Sequence, residues 1–288
     1  MTSTPPGTTP TPTPTDTRAA TDTQAADAQA AAAALAALPA AGASKPASAV
    51  GGERVHAERA GKRVRALLGG QVVVDTVRPV LVWEGPHYPV YYLPAEDVRA
   101  TLVPNGTVNR SPSRGAAVRH DVVIGDHTAP DAAVTHPDSP IPALRGLVRF
   151  DWNALDTWLE EDEIVYGHAR NPYHRIDVLA SSRHVRVEID GVTVADSVRP
   201  VVLFESGLRP RYYLPLTDVR TELLTSSDSA THCPYKGTAS YHSVRVNGEV
   251  HEDVVWYYPT PLFESIRIAG LVCFYDEKVD VLVDGVHT

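Results

Sequence analysis

From about Gly61 onward, apolar and polar positions alternate in short runs, and a period of two is the signature of half-buried β-strands. Lys62-Arg63-Val64-Arg65-Ala66-Leu67-Leu68, then Gly69-Gly70, then Gln71-Val72-Val73-Val74-Asp75 reads as a hairpin closed by a two-glycine turn. Val80–Trp83 and Tyr91–Leu93 read as buried strands. Pro94–Asp97 reads as one helical turn or a β-turn, with proline presetting φ. Val98–Val103 resumes a strand. No helical period of useful length follows, so the pattern predicts an all-β chain.

The same order returns 121 residues later. Arg186–Ile189 leads to Asp190-Gly191, a type I′ hairpin signal, and then to Val192–Asp196. Val198-Arg199-Pro200-Val201 matches Val77-Arg78-Pro79-Val80, Glu205 matches Glu84, and Tyr212-Tyr213-Leu214-Pro215 matches Tyr91-Tyr92-Leu93-Pro94. Aligning Gly61–Val103 with Ser182–Leu224 gives 19 identities in 43 positions without a gap. This is a duplicated domain. Beyond Val103 the copies diverge. With a one-residue shift, Ser111-Pro112-Ser113-Arg114-Gly115 falls under Cys233-Pro234-Tyr235-Lys236-Gly237, and further on Gly146–Phe150 matches Gly270–Phe274. Further hairpin signals stand at Asn247-Gly248 and Asp276-Glu277.

The expected organisation is a Thr/Pro/Ala-rich tail over 1–58, a first β domain over 59–159, a structured linker over 160–181 and a second β domain over 182–288. Prolines crowd the tail and too little apolar surface is available to offset its ordering entropy, so it is expected to be disordered. Within it, Ala25–Leu38 has high helix propensity, with Pro39 as its stop.

Composition narrows the function classes. The formal net charge is -9, and no cluster of Lys and Arg offers the basic stripe that nucleic acid requires. No apolar run approaches the roughly 20 residues that span a bilayer. The chain begins without the basic region and apolar core of a signal peptide. Two cysteines, Cys233 and Cys273, make neither a disulfide scaffold nor a zinc knuckle, and the twelve histidines are scattered. The expectation is a cytoplasmic protein with no metal site, no nucleic-acid or membrane partner, and intramolecular packing of its two repeats. Its cofactor requirement is unknown.

Thr231-His232-Cys233-Pro234-Tyr235-Lys236-Gly237-Thr238-Ala239-Ser240-Tyr241 packs a thiol, an imidazole, an ammonium and two phenols into eleven residues, and the first copy has lost most of it. Cys233 is a candidate nucleophile or redox thiol if nearby positive charge stabilises the thiolate. His232 is adjacent, and a turn at Pro234 would fold Lys236 back. The alternative is a packed free cysteine, because neighbours on a strand point to opposite faces. Lys236-Gly237 also suits an anion, and Arg199, Arg220 and Lys236 together suit a carboxylate or phosphate. Glu205 reads either as a salt-bridge partner of Arg199 or Arg220 or as a general base. Tyr212, Tyr235, Tyr241 and Trp256 are candidate walls of a pocket or members of the core. Cys273 reads as core.

The run from Asp190-Gly191 through Arg199-Pro200, Glu205, Tyr212–Pro215 and Asp218–Arg220 to Thr231–Tyr241 resembles the DUF427 family in its tandem form. The resemblance implies two compact β domains of the Mss4-like class and an unassigned function. Some naming schemes attach a nucleotidyltransferase label, but no Gly-Ser element precedes an Asp-x-Asp pair here and no phosphate-binding loop of the Walker type is present. The leading expectation is binding of a small anionic or aromatic molecule in the second repeat. The alternatives are an enzyme using Cys233 for group transfer or thiol redox chemistry, a nucleotidyltransferase, and a protein-interaction module.

Overall fold

The computed structural model describes residues 26–42, 55–85 and 87–288. No described helix is long and apolar enough to cross a membrane. Two compact units divide the described chain. The first holds residues 26–40, 55–82 and 91–156, and the second holds 41–42, 83–85, 87–90 and 157–288. The helix expected near Ala25–Leu38 runs over 26–36 and stops ahead of Pro39. Beyond it the Arg59 N–H donates to the Pro39 carbonyl at 2.8 Å. The rest of the tail lies outside the described residues.

The first copy contributes β1 (His56–Arg59), β2 (Val64–Leu68), β3 (Gln71–Thr76), β4 (Val80–Trp83), β5 (Val90–Pro94), β6 (Thr101–Ser111), β7 (Gly115–Ile124), β8 (His127–Thr135), β9 (Leu147–Phe150), β10 (Thr157–Glu160) and β11 (Glu163–Val165). The second copy contributes β12 (Ile176–Ala180), β13 (Val185–Ile189), β14 (Val192–Ser197), β15 (Val201–Glu205), β16 (Arg211–Pro215), β17 (Leu224–Cys233), β18 (Gly237–Val246), β19 (Glu249–Tyr257), β20 (Leu271–Phe274), β21 (Asp280–Val283) and β22 (Val286–His287). A seven-stranded sheet of order β1-β4-β5-β9-β8-β7-β6 is answered by one of order β12-β15-β16-β20-β19-β18-β17. Even the irregularities recur. The β2–β3 register shifts between Ala66 and Leu67 and the β13–β14 register between Val187 and Glu188, the same place in each copy.

In the second copy, strand alternation divides the sheet into two apolar faces. Leu214, Val244, Val255, Val272 and Phe274 pack with Val185, Val187, Val281 and Val283 from the four-stranded sheet β14-β13-β21-β22. Their neighbours Tyr213, Trp256 and Cys273 point the other way, joining Leu203, Ala239, Tyr241, Tyr258 and Ile268 in an aromatic cluster. Of the two further turn expectations, one needs correction. Asn247-Gly248 does close β18 onto β19, with both residues at positive φ. Asp276-Glu277 instead joins two different sheets, because β20 pairs with β16 and β19 while β21 pairs with β13 and β22.

Candidate functional site

Three segments of the second unit meet at one carboxylate. Glu205 ends β15 on the same face as Val201 and Leu203, which pack on the aromatic cluster. Lys236 lies in the turn between β17 and β18, and its ammonium pairs with Glu205 Oε2. His174 comes from the segment just before β12, and its Nε2 lies 2.9 Å from Glu205 Oε1. Each carboxylate oxygen thus has one partner. The side chains of Glu205, Lys236 and His174 are only 9%, 11% and 15% exposed. Burial alone would raise the Glu205 pKa, but the hydrogen bond from His174 and the charge of Lys236 together outweigh it and lower the pKa.

Tyr235 completes the cluster. Its ring stacks on His174 at 4.1 Å between centroids, and His168 meets it edge-on at 6.2 Å. Its hydroxyl accepts the Asn171 N–H at 2.6 Å. Burial pushes the Tyr235 phenol up to about 12. Tyr258 is raised further by burial, and the charges of Cys233 and Glu205 act on both phenols in the same direction. The turn is closed from outside by residues 260–262. Leu262 N–H donates to the Lys236 carbonyl at 3.1 Å, and Gly237 sits at φ +95° where a Cβ would lie 3.2 Å from the Thr260 carbonyl oxygen. Only glycine suits that backbone and that approach.

The other expected residues fall elsewhere. Cys233 pairs across the turn with Gly237, and His232 with Thr238. His232 Nδ1 is 3.0 Å from Thr238 Oγ1, and its ring faces Tyr166. With Lys236 on Glu205, neither expected cation is hydrogen-bonded to Cys233. The pairing of Glu205 with Arg199 or Arg220 is corrected: Arg199 binds Asp218 and Thr217, and Arg220 binds Glu222. The three cations therefore do not converge. Tyr212 points to the face opposite Tyr213, where it receives a hydrogen bond from Arg183 at 3.2 Å. Tyr241 and Trp256 are buried in the aromatic cluster. The Tyr241 hydroxyl is 2.7 Å from Thr231 Oγ1, and the Trp256 indole N–H donates to the Tyr213 hydroxyl at 3.1 Å.

Two regions of this chain match one family model, described as a domain of unknown function (DUF427), over residues 56–161 and again over 177–285. The chain belongs to the DUF427 family. No curated protein matches it. The Cys233–Gly237 turn lies inside the second DUF427 region, and its counterpart Ser111–Gly115 inside the first, with Ser111 paired to Gly115 as Cys233 is to Gly237. In the first turn the Arg114 N–H donates to Ser111 Oγ at 3.2 Å. His174, which sequence reasoning passed over, precedes the second DUF427 region by three residues. The retention of a glutamate at 84 and 205 pointed toward its partner site, but nothing in the spacing singles out a histidine 31 residues upstream.

Proposed function

We propose that the second DUF427 repeat binds a small molecule against the turn formed by Cys233, Tyr235, Lys236 and Gly237, with Glu205 and His174 as its polar anchors. The observation that carries this reading is the buried carboxylate shared by an ammonium and an imidazole. A buried ion pair is a poor source of stability, since apolar residues of similar volume often serve a fold as well or better. The first repeat keeps the acid as Glu84 and a cation as Arg114, so what the second repeat adds at this turn is the Tyr235 phenol and the Cys233 thiol, where the first has Ser113 and Ser111, and these additions are better explained by a ligand than by the scaffold. Because Glu205 already matches the charge of Lys236, the ligand expected is planar or aromatic with hydrogen-bonding groups, not a bare anion. The rival reading, with Cys233 as a nucleophile, has less support because His232 and Lys236 are both engaged elsewhere. Differential scanning fluorimetry of the full chain against aromatic metabolites and nucleosides, followed by calorimetry, tests the proposal. A ligand whose binding is lost in Glu205→Gln and Tyr235→Phe but kept in Arg114→Met supports it. Ligands indifferent to Glu205 and Tyr235, or no ligand at all, overturn it.

A further inference from the structure

Away from that cluster, two turns of the second repeat bring three donor side chains to one point. β13 turns into β14 at Asp190-Gly191, with Asp190 held at φ +49°. β18 turns into β19 at Asn247-Gly248, and Glu249 and His251 then follow two residues apart, on one face of the strand. One carboxylate oxygen from each acid and one ring nitrogen of His251 all lie within 4.8 Å of one another. His251 Nε2 is 2.9 Å from Asp190 Oδ2. Among the described ion pairs neither Asp190 nor Glu249 meets a lysine or arginine. Two carboxylates with no lysine or arginine paired to them make a local excess of negative charge.

We propose that Asp190, Glu249 and His251 form a binding site for a divalent transition-metal ion such as Zn²⁺, with water completing the coordination. An imidazole beside two carboxylates is a nitrogen and oxygen donor set suited to zinc and its neighbours, whereas calcium and magnesium take oxygen ligands alone. Binding requires the His251 nitrogen to present its lone pair, so its proton moves to the other ring nitrogen and the hydrogen bond to Asp190 is exchanged for two bonds to the metal.

The first repeat is the internal control. It has the same two turns, but Gly69 stands at the position of Asp190, and His127 and Ala129 at those of Glu249 and His251. The His127 ring fills the space there, with its atoms as close as 2.2 Å to where a Cβ on Gly69 would stand. A single imidazole remains, with neither carboxylate, so the site belongs to the second repeat alone.

Calorimetric titration of the chelator-treated full chain with Zn²⁺ tests the proposal, beside His251→Ala and Asp190→Asn. Asp190 and Glu249 are exposed and His251 is half-buried near the start of β19, and an unchanged melting temperature without metal confirms that the variants fold. One equivalent should bind, and each variant should weaken that binding at least about tenfold. In histidine-region NMR spectra, the ring signals absent from His251→Ala should be those that move first as Zn²⁺ is added. Absence of binding, or wild-type affinity in either variant, overturns the proposal, since eleven other histidines could then account for any zinc taken up.

Discussion

The two repeats share a backbone and differ in what they place on it. At one corner they are nearly the same. Thr76 Oγ1 donates to Asp97 at 2.6 Å in the first copy, and Ser197 Oγ to Asp218 at 2.8 Å in the second. Arg78 N–H and Arg199 N–H donate to those hydroxyls at 3.0 and 3.2 Å, and each guanidinium then closes on the same aspartate. Inside the seven-stranded sheets they part. Where the second copy stacks Tyr241, Trp256, Tyr275 and Cys273, the equivalent positions of the first are Arg119, Val134, Asp151 and Arg149. There Arg119 bridges Asp131 at 2.7 Å and Asp151 at 2.8 Å, and Arg149 also binds Asp151. Residues retained in both copies serve the corner. Residues found in one copy make an ionic network in the first and an aromatic cluster in the second.

The sharpest test of this division is Glu205→Ala. It strands the Lys236 ammonium in a buried site and should destabilise the protein by about 3–5 kcal/mol, measured by urea unfolding. The double variant Glu205→Leu with Lys236→Met should recover most of that loss. If it does not, the carboxylate holds the fold in some way beyond its charge. Trp256→Ala should cost about 3–5 kcal/mol by leaving a cavity beside Tyr213 and Tyr275. Val134→Ala, at the equivalent place in the first copy, removes far less volume and should cost clearly less. Equal losses would mean that the two interiors are packed alike.

Acid separates the copies by charge. Hydrogen bonds from Arg119, then from Asn105, hold the Asp131 carboxyl at about 2 in the folded protein, against about 4 in an unfolded chain. The stability it contributes is present at neutral pH and is lost as pH falls from about 4 toward 2. The stability difference between wild type and Arg119→Gln should therefore shrink across that window. The difference for Tyr241→Phe, at the equivalent position, should stay flat, and a parallel decline would break the contrast. The smallest effects belong to the shared corner. Thr76→Ala and Ser197→Ala should each cost about 1 kcal/mol, and by similar amounts, because each removes one hydroxyl that joins an aspartate to a backbone N–H.

Much of this was legible in the residues. Alternation gave the strands, the Asp190-Gly191 and Asn247-Gly248 turns were identifiable, and the ungapped match of Gly61–Val103 to Ser182–Leu224 announced the duplication. The turn at Cys233–Gly237 stood out because only one copy keeps it, and Glu205, Tyr235 and Lys236 do meet there. What failed was partner choice. Arg199 and Arg220 were the partners expected for Glu205, yet Asp218 and Glu222 lie nineteen and two residues from them along the chain and hold them first. His174 gave no signal, because its segment carries no periodic pattern.

Sequence by itself therefore determined the all-β class, the tandem DUF427 repeats and the stretch on which they differ. These follow from local steric preference and from period, which each segment carries within itself. Only the tertiary structure decided which charges meet: that Glu205 takes Lys236 and His174, that His232 turns toward Thr238, and that Asp190 reaches His251 across 61 residues. Coulombic and hydrogen-bonding partners are chosen by distance in space, and strand alternation sends neighbours in the chain to opposite faces of the sheet.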